Sequence, residues 1–211
     1  LQLGDPGGHI RRAMAAFDAQ FGVHTGQKIV ENYFIEGGKA PQARYKNSPQ
    51  HSVRAKVGGK LIPASTQPAM PVELEMEEEV IEILIATAYC EVWLAKQGHD
   101  GLIFINFLNK VELPLVYAMY GAMLAGVDAI IVGAGNPEGL PAICTRLATH
   151  QPVTHEIPVL YRASGETFTL PFDPAQIMGG MLTRKPLPRP AFLAIVSLEN
   201  LVQTLAQSQS G

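Results

Sequence analysis

Apolar positions along the chain fall into dense runs separated by polar turns, and from residue 81 onward a continuous run is repeatedly followed by one with helical spacing. Ile81–Thr87 reads as a strand with Tyr89–Lys96 as its helix, Leu102–Phe107 precedes the helix Leu113–Leu124, and Asp128–Val132 precedes Leu140–His150. Ile157–Tyr161 is a further strand, and Ala191–Val196 with the amphipathic Leu198–Gln209 is the last pair. Short apolar runs without polar alternation are what strands covered on both faces look like. Strand and helix in regular alternation build a parallel sheet with helices outside it.

The predicted fold class is therefore α/β, and five such strands predict a partial (β/α)8 TIM barrel, a fold of about 250 residues when complete. The N-terminal part is less regular: Ile10–Ala16 and Gln27–Tyr33 read as short helices, and residues 36–72, rich in Gly, Pro, Ser and Gln, read as a long irregular insertion over one face. Residues 163–190, with Gly179, Gly180 and several prolines, read as an excursion before the next strand. Neither stretch has the look of a separate unit, so residues 1–211 are expected to be a single, incomplete domain. The chain starts at Leu1 without methionine and stops where another strand should begin, so a fragment truncated at both ends is expected.

Composition narrows the class. With 211 residues, 47% of them hydrophobic and 17% charged, the chain can bury a substantial core. A net charge of -3 with scattered Lys and Arg leaves no basic footprint for nucleic acid. No apolar stretch approaches the roughly 20 residues of a spanning helix and no signal peptide is visible, so no membrane partner and a cytoplasmic location are expected. Cys90 and Cys144 sit in apolar helical patterns and are expected to be buried, reduced thiols.

The richest segment chemically is Tyr120–Pro137. It reads as a helix, a buried strand and a glycine turn with an amide at its tip, where α/β enzymes hold phosphorylated cofactors. Gly133 and Gly135 allow close backbone approach, Asn136 offers both donor and acceptor, and Pro137 suits the first turn of the following helix. A dinucleotide fingerprint is excluded: the third glycine, Gly139, comes one residue late, and Pro137 interrupts the loop. A plain βα turn remains the alternative for this loop.

In a barrel the chemistry sits at the carboxyl ends of the strands. That directs attention to Tyr89 and Cys90, Asn106 to Asn109, Gly133 to Asn136, Tyr161 and Arg162, and Ser197. Asn106 closes an apolar strand and could exchange hydrogen bonds with a flavin edge or a phosphate, or simply cap a loop. His9 reads as a helix-start residue, and no histidine pair has the spacing of a helical zinc site, so no metal is expected. The acidic run Glu73–Glu82 reads as a solvated lead-in to a strand, and Tyr117 and Tyr120 as residues packing against the sheet. Ser197 lacks the setting of a hydrolase nucleophile.

The succession Gly98–Lys110, then Tyr120–Gly126, then Val132–Pro137, resembles the nitronate monooxygenase (2-nitropropane dioxygenase-like) family and the related flavin-dependent enoyl reductases. The resemblance runs from Tyr89 to the end, touches Leu1–Gly8, and leaves Gly37–Met76 outside it. It implies a TIM barrel with FMN at its mouth, and makes Asn106, Gly133, Ala134, Gly135 and Asn136 flavin neighbours. It implies oxidation of an alkyl nitronate by molecular oxygen, a small-molecule substrate, and a homodimer as a conceivable assembly. The family's first strand would precede Leu1, and its catalytic histidine would follow Gly211, so this chain alone is expected to be inactive and its catalytic residue stays unassigned. Two alternatives stay open: the same flavin barrel as an enoyl-thioester reductase of fatty acid or polyketide synthesis, and a non-catalytic truncated barrel.

Overall fold

The computed structural model describes residues 1–44, 53–57, 60–61, 72–162, 164–196, 202–203 and 206–207. It opens with a helical hairpin, α1 (His9–Phe21) and α2 (Thr25–Tyr33). His9 is the first residue of α1, as its place in the sequence predicts. Asp5 starts that helix by accepting the amides of Ile10 and Arg11 at 3.2 and 3.1 Å. Gly22, in the left-handed region at φ 68°, ends it. Asp18 on α1 then caps the neighbouring helix, taking the amides of Gly26 and Gln27 at 2.7 and 2.8 Å.

Three short strands follow, β1 (Val53–Val57), β2 (Lys60–Leu61) and β3 (Val72–Met76), and then the long helix α3 (Glu78–Ala95). This corrects the expected strand Ile81–Thr87 and the separate helix after it. Eighteen residues with Glu78 and Glu79 in the first turn suit a helix, and its buried positions, from Val80 round to Val92, occupy most of its circumference. A helix buried on several sides shows no apolar stripe, so its sequence looks like that of a covered strand. Phe17 of α1 meets Tyr89 edge-on at 5.0 Å, and the Tyr89 hydroxyl donates to Gln20 Oε1 at 2.6 Å.

The next units match the expected alternation: β4 (Phe104–Leu108), α4 (Glu112–Leu124), β5 (Ala129–Gly133) and α5 (Leu140–Ala148). Asp128 sets the start of β5 against its neighbours, accepting the Ile103 amide at 2.8 Å and the Lys96 ammonium at 2.7 Å. The chain then departs from expectation. The strand lies at β6 (Val153–Glu156), not at 157–161, and Tyr161 has φ 61°, outside any strand conformation. The excursion 163–190 is also more ordered than predicted, holding β7 (Phe168–Phe172) and 3₁₀ turns over Pro174–Thr183 broken at Ile177–Gly180. β8 (Ala191–Ala194) is the expected last strand, while the helix expected at 198–209 lies mostly outside the described residues.

The strands form two sheets. One is parallel throughout, in the order β4-β5-β8, with Phe104 opposite Ala129 and Ala129 opposite Ala191. The other is mixed, in the order β2-β1-β3-β7-β6. The irregular segments of the N-terminal and C-terminal parts are thus joined, β3 running parallel to β7 with Val72 opposite Phe168. The class is α/β, as expected, and among the described residues neither sheet closes into a barrel.

α4 belongs to both halves. Tyr117 and Tyr120, buried as predicted, pack on Phe172 of β7 at 5.0 and 5.4 Å. Gly121 meets α3 so closely that a β-carbon there would lie 2.2 Å from the Ile85 carbonyl oxygen. The core runs from the helical hairpin through α3 and α4 to α5 and β7.

Candidate functional site

Side chains alternate across the parallel sheet. One face carries Ile105, Phe107, Ile130, Val132 and Phe192 and belongs to the core. The other carries Phe104, Asn106 and Leu108 of β4, Ile131 of β5 and Leu193 of β8, with Ile195 just beyond that strand. Among the described residues nothing covers this second face: Phe104, Leu108, Leu193 and Ile195 are 50%, 47%, 44% and 57% exposed. Asn106, also exposed, is opposite Ile131 and is the amide in the middle of this apolar surface. Asn106 is therefore a mid-strand residue, one turn of the pleat before the strand end, where it was expected to close the strand.

At the carboxyl edge of the same face lies the glycine loop. Gly133 is the last residue of β5, and Ala134 takes the left-handed conformation, φ 57°. The loop is tied to the exit of β4, with the Asn109 amide donating to Gly133 O at 2.8 Å and the Lys110 amide to Ala134 O at 3.1 Å. Both glycines are needed for space: a β-carbon would stand 3.0 Å from Ile195 Cδ1 at Gly133 and 2.7 Å from Asn109 Nδ2 at Gly135. Asn136 turns its side chain back on the chain, Oδ1 accepting the Glu138 amide at 3.2 Å. Pro137, expected in the first turn of the following helix, lies instead in the turn ahead of α5, whose first turn holds Pro141. Among the described residues the backbone N–H groups of Ala134, Gly135 and Asn136 meet no acceptor.

The structure thus places Gly133, Ala134, Gly135 and Asn136 at the carboxyl end of β5 and Asn106 in the middle of the adjacent strand, opposite Ile131. Asn109, the end of the strand-end stretch 106–109 and given no role by the sequence, lies here too, 4% exposed, its Nδ2 donating to Asn136 O at 2.8 Å and its Oδ1 without a partner among the described residues. The signal for it in the sequence was faint: a second asparagine three residues after Asn106, in a turn where asparagine is ordinary.

Other strand-end candidates do not join this site. Tyr89 and Cys90 lie inside α3, and burial pushes both up to about 12. Cys144, likewise free and buried, is pushed up to about 11. Such thiols stay protonated at neutral pH and do not act as nucleophiles. Tyr161 and Arg162 stand on an exposed loop, and Ser197 lies outside the described residues. His150 receives the Tyr120 hydroxyl on Nδ1 at 2.8 Å, and His155 is 2.8 Å from Glu112 Oε2, so both tie α4 to its neighbours. The acidic run is divided: Glu73 and Glu75 belong to β3, Glu75 paired with Lys56 at 2.6 Å, while Glu78 and Glu79 open α3. It therefore leads into a helix, not into the strand predicted for it.

Among the described residues no cluster of three metal-ligating side chains is found, and no helix is long and apolar enough to cross a membrane. No protein-family model matches the chain, and neither a curated protein nor a solved structure matches it.

Proposed function

We propose that this chain is the flavin-holding part of an FMN-dependent oxidoreductase of the nitronate monooxygenase type, with β4, β5 and β8 as consecutive strands of a (β/α)8 barrel. The observation that carries the reading is the uncovered apolar face with Asn106 at its centre and the glycine loop at its carboxyl edge. A planar heteroaromatic ring wants apolar surface along its plane and hydrogen-bonding groups at its rim. The four partly exposed apolar side chains offer the first, and the Asn106 amide with the free N–H groups of Ala134, Gly135 and Asn136 offers the second. The donor set therefore suits the group. Bound FMN would supply the electron transfer between a small-molecule substrate and molecular oxygen.

The chain's own part is binding and orientation. Asn106 can accept from or donate to a ring edge, and the loop amides can hold an oxyanion or a ring carbonyl. Gly133 and Gly135 keep the backbone low under the ligand, since a side chain at either would strike Ile195 or Asn109. Among the described residues the face carries no histidine.

The test is titration of the purified protein with FMN, followed by flavin fluorescence and visible absorption. Saturable binding is expected, with Asn106→Ala weakening it about tenfold, or 1.4 kcal/mol. Absence of binding would overturn the reading and favour a non-catalytic scaffold, for which the open strand edges and the bare face also speak. Oxygen uptake on adding an alkyl nitronate is the expected activity once the site is complete. Flavin reduction by a nicotinamide and reoxidation by an enoyl thioester would instead mark a reductase.

A further inference from the structure

Asn109 follows β4 in the turn that leads to α4, and only one side of its amide is engaged. Nδ2 donates to Asn136 O at 2.8 Å, and Oδ1 is buried with no donor among the described residues. Asn136 O is a carbonyl, which only the NH2 side of the amide can satisfy, so the orientation follows from the chemistry. An unpaired buried acceptor costs about 1–3 kcal/mol. Leucine, with as many side-chain heavy atoms, would remove the unpaired oxygen but leave Asn136 O without its donor, so what the amide supplies here is the tie to the loop.

The same amide dictates the loop above it. A β-carbon at Gly135 would stand 2.7 Å from Asn109 Nδ2 and 2.8 Å from its Cβ, so Gly135 lies directly against this side chain. With the Asn109 N–H on Gly133 O and the Lys110 N–H on Ala134 O, the segment is held at three successive points, Gly133, Ala134 and Asn136. Among the described residues the N–H groups of Ala134, Gly135 and Asn136 meet no protein acceptor.

We propose that Asn109 is the positioning residue of the glycine loop, fixing Gly135 and Asn136 so that the free loop amides are presented to a bound ligand. The ligand's identity rests on the flavin reading above. Asn109 does not touch that ligand itself, its Oδ1 being closed to solvent; it acts through the loop.

The experiment pairs FMN affinity, read by fluorescence titration, with thermal unfolding of the same samples. Asn109→Leu removes the unpaired acceptor together with the clamp. Its midpoint should stay within a few degrees of the parent while FMN affinity falls at least tenfold. Asn109→Asp, which keeps the shape but turns an oxygen toward the Asn136 carbonyl, should lose affinity as well, and serves if the leucine variant fails to fold. Gly135→Ala should weaken binding in the parent yet add little in an Asn109→Gly background, which removes both the Nδ2 and the Cβ that the new methyl would strike. Unchanged affinity in Asn109→Leu and Asn109→Asp, or strict additivity of Gly135→Ala with Asn109→Gly, overturns the proposal and leaves the flavin reading standing. A parent that binds no FMN overturns both.

Discussion

The two sheets of this protein are built by opposite means. The parallel sheet takes β4 and β5 from two successive βα units, each followed by its helix, and adds β8 after the excursion through β6 and β7. The mixed sheet joins strands from residues 53–76 to strands from residues 153–172, and its parallel β3–β7 contact links segments with α3, β4, α4, β5 and α5 between them. Their surfaces differ as well. Among the described residues the parallel sheet leaves an apolar face with one amide uncovered, whereas the mixed sheet carries ion pairs on partly exposed side chains, Lys56 of β1 with Glu75 of β3 and Arg54 of β1 with Glu77 just beyond β3. An exposed ion pair contributes little to stability, about 0–1 kcal/mol, while a bare apolar face is costly to keep without a ligand or partner. The contrast is what directs the functional reading to the parallel sheet and assigns the mixed sheet to support.

The strongest way to break that division is at Phe172, which joins the mixed sheet to α4 through Tyr117 and Tyr120. Phe172→Ala should cost about 4 kcal/mol. If the mixed sheet is support, urea unfolding stays a single transition at lower midpoint. Two separated transitions would mean that the sheets are independent units. Next in size is the helix contact beneath both halves. Gly121→Ala places a methyl 2.2 Å from the Ile85 carbonyl oxygen, main chain that cannot step aside, and should cost about 3 kcal/mol. Little change in the unfolding midpoint would contradict that close approach of α3 and α4.

The smallest effect sharpens the parallel side alone. Asp128 is held below the usual carboxylate range first by the Ile103 amide and then by Lys96, against the upward pull of burial. A depressed carboxyl contributes stability that is complete above its unfolded value, about 3.9, and is lost as pH falls through the lower folded value. Asp128→Asn should therefore cost about 1 kcal/mol at neutral pH, discounted for a side chain about a third exposed. The difference from the parent should shrink as pH falls below the unfolded value and vanish below the lower folded one. A gap that persists there would show that packing, not charge, carries the contribution of Asp128.

Legibility in the sequence follows the same division. β5 was expected at 128–132 and lies at Ala129–Gly133, and α4 was expected at 113–124 and lies at Glu112–Leu124, because apolar run length and helical spacing are local properties. α3 was misread for a local reason too: buried against α1 and α4, it has no polar side to give it a period. At the site, Asn106 and the loop Gly133–Asn136 could be given a role by residue type, whereas Asn109, within the stretch 106–109, could not. What distinguishes it is an unpaired oxygen and a neighbour without a β-carbon, both of them facts about space.

The sequence by itself determined the α/β alternation, the glycine turn after a buried strand, and the absence of a basic surface, since each depends on residue type and spacing over a few turns of chain. Only the tertiary structure decided that the two irregular segments share a sheet, that α3 is a single helix, and which face of β4 is bare. Strand partners and buried faces are settled by segments far away in the chain. A strand with apolar residues on both sides looks the same whichever side the helices cover.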